Sequence, residues 1–336
     1  MILVTGGLGY IGSHTCVALQ EAGFALLVLD NLSNGKMAAL ERLRELGRGK
    51  VEFVRADVRD RAALEAALRG RDVQAAVHFA GLKAVGESVA RPLEYYDHNV
   101  NGSLVLLQAL SAAGVARVVF SSSATVYGPP AFLPYTEAHP LQPVSPYAVT
   151  KRSVERMLED LAAAEPGFRH ATLRYFNPIG AHPSGRIGED PRGVPNNLFP
   201  YVTQVAAGRL PQLTIHGTDY DTPDGTGVRD YVHVMDLAEG HVAALRHLLA
   251  GGDSLTANLG TGRGTSVLEL VSAFEQVTGR AVPRTTGPRR PGDLPSYYAD
   301  PSLAKRVLGW SARRSIEDMC RDAWAWQSAH PAGYPD

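Results

Sequence analysis

Short apolar runs alternate with longer amphipathic stretches through the first half of the chain. The runs predict strands at residues 2–5, 25–29, 51–54, 75–79, 117–121 and 171–175. The stretches between them predict helices at residues 11–22, 36–46, 61–68, 92–113 and 146–164. A strand that is followed by a crossover helix and another strand is the repeating unit of a parallel sheet with helices on both faces. The pattern therefore predicts an α/β fold with a doubly wound parallel sheet.

The composition changes beyond residue 177. Eight of the 18 residues from 178 to 195 are Gly or Pro, and so long a stretch without strand or helix signals is typical of a lid or binding loop. Shorter elements follow, with helices predicted at residues 197–207, 234–249, 266–278 and 316–329 and strands at residues 213–216 and 255–259. We interpret residues 1–176 as a dinucleotide-binding domain. Residues 177–336 are interpreted as a smaller mixed α/β substrate-binding lobe, whose strands and helices can return to the first domain.

A glycine-rich turn separates the first predicted strand from the first helix. It fits G-x-G-x-x-G through Gly7, Gly9 and Gly12, and equally G-x-x-G-x-x-G through Gly6, Gly9 and Gly12. Glycines here permit a tight turn and let a pyrophosphate approach the helix N-terminus, where unpaired N–H groups favour an anion. Asp30 ends the second strand 18 residues after Gly12, near the spacing of about 20 at which an acid binds the adenosine ribose. The pattern indicates a Rossmann-type site, and the carboxylate favours NAD over NADP.

Composition narrows the classes of function. The 33 basic and 34 acidic residues give a net charge of −1, which argues against a nucleic-acid partner or a membrane surface. No apolar stretch approaches the ~18 residues that a membrane span needs. Because a strand is predicted from residue 2, we expect no signal segment and a cytoplasmic protein. Cys16 and Cys320 lack a C-x-x-C partner and the 11 histidines form no ligand pair, so we expect neither a disulfide nor a metal.

Tyr147 and Lys151 form a candidate catalytic pair. Their spacing puts both side chains on one face of a helix, and Ser145 followed by Pro146 is typical of a helix start. The helix dipole and the ammonium would lower the pKa of the Tyr147 phenol from about 10 toward neutrality, which suits a general base for a hydroxyl proton. Ser123 follows a predicted strand and can bridge a substrate oxygen and the tyrosine. A bare Y-x-x-x-K would favour an ordinary surface pair, but this context favours catalysis.

Five sequence blocks together resemble the extended short-chain dehydrogenases/reductases and, within them, the UDP-glucose 4-epimerase family. The similarity extends over the whole chain. The blocks are TGGLGYIGSHT at residues 5–15, HFAGLKAVGES at 78–88, SSSATVYG at 121–128, LRYFNP at 173–178 and GVRDYVHV at 227–234.

The resemblance implies an enzyme that inverts C4 of UDP-galactose or UDP-glucose through a transient 4-keto intermediate, with tightly bound NAD, in a homodimer. It implies Tyr147 as the base, Ser123 as its assistant and Lys151 as the anchoring lysine. The implied NAD contacts are Gly6, Gly9, Tyr10, Ile11, Gly12, Asp30, Asn31, Asn34, Asp57, Val58, Phe79, Ala80, Lys83, Asn99, Tyr147, Lys151, Tyr175 and Phe176. The implied UDP-sugar contacts are Ser123, Asn177, Asn197, Leu198, His216, Arg229, Arg290, Asp293 and Tyr297.

Three positions leave alternatives open. His98 stands beside Asn99 where relatives can carry two consecutive asparagines, so either neighbour can meet the cofactor. His216 occupies a place near the uracil that is often held by phenylalanine, and an imidazole can still stack there. Tyr297 aligns with the residue that faces the C2 substituent of the sugar, but Tyr298 next to it is the other candidate.

The sequence disfavours two alternatives to epimerisation. A 4,6-dehydratase on the same scaffold needs carboxylates after the strand serine, where this chain has Ala124 and Thr125, so dehydration is disfavoured. A nonenzymatic NAD-sensing protein would have no use for a Ser-Tyr-Lys set.

The predicted helices at residues 92–113 and 146–164 carry more apolar side chains than one sheet face can cover, which favours a homodimer. The competing reading is that all of them pack on the sheet. The apolar residues in question are Leu104, Leu107, Leu110, Met157, Leu158 and Leu161.

Overall fold

A computed structural model describes residues 1–193, 195, 197–290 and 292–334. Eight of the strands lie on the short apolar runs of the sequence, and with the shorter or more polar ones there are fourteen in these residues. They are β1 (Ile2–Thr5), β2 (Leu26–Asp30), β3 (Val51–Arg55), β4 (Ala75–His78), β5 (Arg117–Ser121), β6 (Arg169–Tyr175), β7 (Asn177–Ile179), β8 (Leu213–His216), β9 (Val228–Arg229), β10 (Tyr231–His233), β11 (Leu255–Leu259), β12 (Thr265–Ser266), β13 (Arg284–Gly287) and β14 (Ser296–Tyr297).

The helices occupy the amphipathic stretches between these strands. They are α1 (Tyr10–Glu21), α2 (Met37–Leu46), α3 (Arg61–Leu68), α4 (Val85–Ala90), α5 (Pro92–Tyr95), α6 (Gly102–Ala112), α7 (Pro146–Ala164), α8 (Leu198–Ala206), α9 (Val234–Leu249), α10 (Val267–Thr278), α11 (Ser302–Leu308) and α12 (Ile316–Ala329). Across the described ranges, no helix combines the length and the apolar character needed to cross a membrane.

The central sheet has seven strands in the order β11-β6-β5-β4-β1-β2-β3, and every neighbouring pair runs parallel. One face packs against α1, α2 and α9, and the other against α3, α6 and α7. The chain therefore winds outward from β1 in both directions, with the carboxyl ends of all strands at one edge. The predicted doubly wound parallel fold is confirmed.

The second half of the chain contributes both to this sheet and to smaller ones. β11 pairs with β6 as the seventh strand of the central sheet. The remaining strands form the small sheets β10-β7, β12-β9-β14 and β13-β8, beside a third apolar cluster built from α8, α10 and α12. The division of the chain at residue 176 stays a prediction.

The prediction of one continuous helix over residues 92–113 was wrong. It divides into α5, a π-helical turn at Tyr96–Asn101 and α6. At the end of the π-turn, a Cβ on Gly102 would lie 2.9 Å from a methyl group of Val58, so the two segments approach closely there. π-turns within helices are rare and frequent at functional sites, and hydrophobic periodicity does not reveal them. The short helices α4 and α11 were also not predicted.

Most of the apolar side chains that were predicted to exceed what the sheet can cover do pack against it. Leu107, Leu110 and Leu158 are buried against the sheet, and Met157 and Leu161 pack against the same cluster. Of the six side chains, Leu104 is largely exposed, at 43%. Leu104 belongs to a group of exposed apolar residues on α4, α5, the π-turn and the start of α6. The group consists of Val85, Val89, Leu93, Tyr96 and Leu104.

Candidate active site

The glycine turn after β1 is shaped by close backbone contacts. Gly6 has φ of +67°, and a Cβ on it would lie 2.7 Å from the backbone nitrogen of Ala80. A Cβ on Gly12 would lie 2.2 Å from the carbonyl oxygen of Gly6. Side chains are excluded at both positions, so the first turn of α1 stays open to a ligand from the strand edge. These two contacts give a physical reason for glycine at the ends of the wider of the two motif spacings.

Asp30 is the last residue of β2 and is held beside the glycine turn. Its Oδ2 accepts a hydrogen bond from the Leu8 amide at 3.0 Å, and its Oδ1 accepts one from the Leu32 amide at 2.8 Å. Burial raises the pKa of this carboxyl, while the two amides oppose the rise. A Cβ on Gly35 would lie 3.1 Å from each carboxylate oxygen, which leaves room for a ribose hydroxyl group beside the acid.

A second acid, Asp57, follows β3 at the same edge. Asn31 donates a hydrogen bond to its Oδ2 at 2.9 Å, and Arg59 binds both of its oxygens at 2.9 Å. The guanidinium holds the pKa of Asp57 well below its usual range. Val58 lies buried in the core against Gly102, so its side chain supports the sheet edge from beneath. These contacts orient the Asp57 carboxylate at the edge where the resemblance implies the adenosine.

The loop predicted over residues 178–195 lies across the glycine turn. The Tyr10 hydroxyl donates a hydrogen bond to one of its carbonyl oxygens at 2.7 Å. Lys83 pairs with the Glu189 carboxylate of the loop at 3.2 Å, and Asn197 donates to the same oxygen at 3.4 Å. A residue implied to contact NAD and one implied to contact UDP thus share one loop carboxylate.

Two cavities open beside this loop. The larger, about 970 Å³, lies next to the adenosine end and is lined by Leu32, Gly35, Lys36 and residues 190–193. The smaller lies over the glycine turn and is lined by Gly9, Tyr10, Ser13, Asn34, Lys83 and residues 188–191, among others. Both lie at the carboxyl edge of the sheet, where open parallel sheets bind ligands.

Asn99 and His98 differ sharply in their surroundings. Asn99 is buried, its Oδ1 accepts from the Leu82 amide at 2.7 Å, and its Nδ2 donates to Thr150 at 3.0 Å. His98 bonds the Glu94 carbonyl of its own helix at 2.9 Å. The π-turn is what directs Asn99 inward. Asn99 therefore joins the loop after β4 to α7, between the implied cofactor and catalytic residues.

Aromatic rings line the sheet edge between β4 and β6. Phe79 and Tyr175 both lie beside the buried ring of His241, at centroid distances of 4.8 and 6.0 Å. The Tyr175 hydroxyl is hydrogen-bonded to Ser121. Phe176 packs 6.1 Å from the Tyr297 ring, so its side chain belongs to the substrate side of the edge. Ile11 packs into the core beneath α1.

The catalytic set predicted from sequence converges at the end of β5. Ser145 caps α7 by accepting a hydrogen bond from the Ala148 amide at 3.2 Å, as predicted, and Tyr147 lies in the first turn. Tyr147 is buried, and its ring centre lies 5.9 Å from Lys151 Nζ. Lys151 donates to the carbonyl of Ser121 at 2.8 Å.

The electrostatics of this set differ from the sequence prediction. Burial raises the pKa of Tyr147 to about 12, and its interaction with Ser123 opposes this only in part. Burial also lowers the pKa of Lys151 to about 8, against the field of Glu155. The prediction that the lysine and the helix dipole bring the phenol toward neutrality was wrong for the protein groups alone, because sequence spacing does not reveal how deeply the pair is buried.

Four residues implied to bind UDP-sugar form one connected group. The Arg229 guanidinium is ion-paired with Asp293 and lies 4.5 Å over the Tyr297 ring. The Tyr297 hydroxyl donates to Asn177 Oδ1 at 3.0 Å. Tyr298 instead lies over Gly264, on the far side of the strand. Tyr297, not Tyr298, is therefore the tyrosine of this group.

The other implied substrate residues lie around this group. His216 ends β8, and its Nδ1 is 3.2 Å from the Pro288 carbonyl oxygen. Arg290 is exposed, and its carbonyl accepts from the Asp293 amide at 3.1 Å. Leu198 begins α8 and packs against the third apolar cluster. Arg289, next to Arg290, forms an ion pair with Asp219, with 2.8 Å between Nε and Oδ1.

Comparisons with known proteins show the family of this chain. Residues 2–260 match the NAD dependent epimerase/dehydratase family. The chain belongs to this family. It is 56% identical over 333 residues to the UDP-glucose 4-epimerase of Bacillus subtilis (strain 168), which covers 99% of this chain and 98% of that protein.

Two solved members of the family superpose closely on this chain. The UDP-glucose 4-epimerase of Stenotrophomonas maltophila, with bound NAD and formylated UDP-arabinopyranose, has a TM-score of 0.96 at 52% identity and 98% coverage of both chains. That of Bifidobacterium longum, in complex with NAD⁺ and UDP, has a TM-score of 0.95 at 47% identity and 99% coverage of both chains. The resemblance inferred from the five sequence blocks is confirmed.

Several residues that shape this epimerase/dehydratase family member's site were not found from its sequence. Glu155 and Arg174 form a buried ion pair beneath the serines of β5, and Asp230 holds the loops around β14. Glu189 bridges Lys83 and Asn197. The sequence contained one indication of Glu155, which follows Lys151 by the same four-residue interval that separates Tyr147 from Lys151.

No group of three or more His, Cys, Asp or Glu side chains that could hold a metal is found among residues 1–193, 195, 197–290 and 292–334. Cys16 and Cys320 are both buried thiols. Burial raises the pKa of the Cys320 thiol to about 12.

Gly12→Ala should abolish retention of NAD, because its Cβ would meet a backbone oxygen that cannot move aside. The matched control is Gly167→Ala, where a Cβ would meet nothing within 4 Å. Bound dinucleotide is measured by absorbance after denaturing the purified proteins. Equal NAD content in both variants would contradict the assignment of this turn to the cofactor.

Proposed function

We propose that this chain is an NAD-dependent UDP-hexose 4-epimerase that interconverts UDP-galactose and UDP-glucose. The observation that carries the proposal is the convergence of Ser123, Tyr147 and Lys151 at the sheet edge, with the Arg229 and Tyr297 group beside them. The two groups are joined because the Tyr297 ring packs in one apolar cluster with Phe176 and with Ala124, the residue after Ser123. The names of the relatives support the same activity.

The residues present fit NAD. The glycine turn leaves its helix N-terminus open, Asp30 supplies a ribose acceptor, and Asn99 positions the loop after β4. When bound, NAD supplies the hydride acceptor for C4 and afterwards the hydride donor, as well as a positive charge. The dinucleotide would be held between the turn and the loop that carries Glu189.

The chain's own residues manage the proton at the 4-hydroxyl. Tyr147 accepts this proton during oxidation and returns it during reduction. Ser123, with its own Oγ already accepting from Thr125 at 3.0 Å, is free to donate toward the sugar oxygen or the phenolate. Because burial disfavours the phenolate, positive charge next to Tyr147 is required, and Lys151 provides part of it.

Inversion requires that the nucleotide stay anchored while the sugar turns. Arg229 and Arg290 offer forked donors to a diphosphate. Arg229 is mostly buried and oriented by Asp293, so its guanidinium is fixed before the ligand arrives. On the sugar side, Asn177 and Tyr297 are hydrogen-bonded to one another. Such an arrangement favours binding through UDP over binding through the hexose.

A dehydratase is the second candidate that the family name allows. The position after the catalytic serine carries Ala124, followed by Thr125, whose hydroxyl donates to Ser123. Neither residue can carry a proton to or from C5 and C6 as a carboxylate would. The site therefore supports epimerisation.

Tyr147→Phe should lower kcat by at least ~10² and leave UDP affinity nearly unchanged, since only the proton-transfer group is removed. Coupled assay of UDP-glucose formation gives kcat, and calorimetry with UDP gives Kd. Tyr201→Phe on α8 is the control and should change neither. Parallel losses of UDP affinity and kcat in Tyr147→Phe would argue that the hydroxyl is structural.

We further propose that Tyr297 favours hexoses over their N-acetylated counterparts. Its ring is fixed between Arg229 and Asn177, so it cannot swing away at small cost. A fixed phenol beside the C2 substituent leaves no room for an acetamido group. Steric exclusion by small pocket changes is worth ~1 to 3 kcal/mol.

Tyr297→Cys should raise kcat/KM for UDP-N-acetylgalactosamine relative to UDP-galactose by ten-fold or more. A factor of ten corresponds to about 1.4 kcal/mol. Tyr298→Cys, whose ring lies over Gly264, is the neighbouring control and should leave the ratio unchanged. A wild-type enzyme that uses both substrates equally would show that Tyr297 is no gate.

A homodimer is also proposed, through exposed residues of the predicted helix at residues 92–113 together with those of α4 before it. Val85, Val89 and Leu93 are exposed at 45%, 66% and 83%, and Tyr96 and Leu104 follow them along the chain. Clusters of exposed apolar residues of this kind are typical of protein interfaces. The patch lies on helices that pack against α7, so dimerisation would buttress the catalytic helix from outside.

Leu93→Glu should convert a species of twice 36.0 kDa into one of 36.0 kDa in light scattering at micromolar concentration. Val144→Glu changes an equally exposed valine, 73% accessible, outside the patch and should leave the dimer intact. A wild-type protein of 36.0 kDa would overturn the proposal.

Two predictions from sequence stay proposals beside these. The domain boundary at residue 176 is one, and the cytoplasmic location is the other. Two buried thiols without a disulfide fit a reducing compartment.

A further inference from the structure

Helix α7 directs three side chains, not two, at the serine segment, which consists of Ser121 at the end of β5 and the two serines after it. Tyr147, Lys151 and Glu155 follow one another at intervals of four residues and therefore share one helix face. Lys151 donates to the carbonyl of Ser121 at 2.8 Å, and Glu155 accepts from the hydroxyl of Ser122 at 2.6 Å. The third contact lies one helical turn beyond Lys151 and two turns beyond Tyr147.

Glu155 is fully enclosed and bonded on both oxygens. Its side chain is 1% exposed, and that of Arg174 on β6 is 4% exposed. Arg174 donates to one carboxylate oxygen through Nε at 2.9 Å and to the other through Nη2 at 2.7 Å. Arg152 approaches the second oxygen at 3.3 Å. Such a bidentate, buried pair fixes the carboxylate in one orientation.

Arg174 is in turn fixed by the aromatic segment after β5. Its Nη1 donates to the Tyr127 hydroxyl at 3.2 Å, and its guanidinium lies 5.0 Å from the centre of that ring. The Tyr127 hydroxyl donates to Asn258 on β11 at 2.7 Å. The network thus connects the catalytic helix to three strands of the central sheet.

We infer that Glu155, held by Arg174, is a positioning residue that keeps Lys151 charged and sets the serine segment in register with Tyr147. The inference rests on the proposed function and deepens it. It adds no group that touches substrate or cofactor. Instead it explains how a lysine enclosed by protein retains the ammonium form that the tyrosine needs.

The charges around Lys151 support this role. Burial lowers the pKa of Lys151 to about 8, and Glu155 is the carboxylate whose field raises it. Glu159, one turn farther along α7, is bound by Arg152 at 2.6 Å and lies at the surface. The other titratable or charged groups that face the pair are Tyr147 and Arg152 on α7, His78 on β4, His170, Arg174 and Tyr175 on β6, and Tyr127 after β5.

Removing the negative charge of Glu155 should lower the pKa of Lys151. Without that carboxylate, burial and the Arg174 guanidinium both disfavour the ammonium, so the pKa of Lys151 falls farther below its ordinary value. The ammonium is then lost at a lower pH, and the alkaline limb of the kcat profile moves down with it. A purely structural residue would lower activity at every pH without moving this limb.

The test is Glu155→Gln, which keeps the shape of the side chain and removes its charge. The 13Cε shift of Lys151 is followed against pH in holoenzyme labelled on lysine. The chain has five lysines, and Lys151→Arg identifies the signal. We expect its titration midpoint to fall by about one pH unit or more, with the alkaline limb of kcat following. Glu159→Gln is the matched control on the same helix and should shift neither.

If Glu155→Gln yields no folded holoenzyme, Glu155→Asp replaces it. The shorter carboxylate lies farther from Lys151, so the midpoint should fall in the same direction by a smaller amount. A Lys151 midpoint that stays at its wild-type value in the folded variant overturns the inference. The lysine titration does not depend on turnover, so absence of epimerase activity in the wild type would refute the proposed function and still leave this measurement decisive.

Discussion

The hydrogen bond from the Lys151 ammonium to the Ser121 carbonyl joins the catalytic helix to the edge of the central sheet. An ammonium buried so completely is expensive to desolvate, and the fold offsets this cost with one carbonyl acceptor and one nearby carboxylate. Everything implied to take part in catalysis is arranged around that contact. Tyr147 lies one turn before it, Ser123 two residues after the acceptor, and Glu155 one turn beyond.

The parallel sheet makes this arrangement possible because it brings the ends of distant strands to one edge. The end of β5 and the two residues after it contribute the serines, and the end of β6 and the next residue contribute the rings of Tyr175 and Phe176. β2 contributes the Asp30 carboxylate. The second half of the chain then covers this edge. The short strands β9 and β14 carry Arg229 and Tyr297, and the Asp230 carboxylate holds them in place by accepting from the amides of Thr261 and Ala299.

The sequence predicted those parts of the protein that depend on local pattern. The strands of the sheet, the capped start of α7 and the glycine turn follow from periodicity, capping residues and backbone sterics, which act over a few residues. The sequence allowed strands of the second half to return to the first domain, but it did not show that β11 pairs with β6, because this pairing joins residues some 80 positions apart. The π-turn at Asn99 and the burial that shifts the Tyr147 pKa also arise from tertiary packing.

Site residues came mainly from resemblance, and the structure adds physical reasons for grouping them. Asn177, Arg229, Asp293 and Tyr297 had no common sequence pattern, yet they form one bonded group. The buried pair of Glu155 and Arg174 had no signal beyond helical spacing, since a lone charge on a helix is usually solvated. Such residues are found only when the fold shows what surrounds them.

In the proposed reaction, C4 is oxidised and reduced again within one closed site. This is tested with UDP-galactose that carries deuterium at C4 and is converted by the holoenzyme in ordinary water. In this mechanism the UDP-glucose formed retains the deuterium at C4, because the hydride leaves and returns without exchange with solvent. Loss of the deuterium to solvent would contradict it and would indicate inversion by proton abstraction instead.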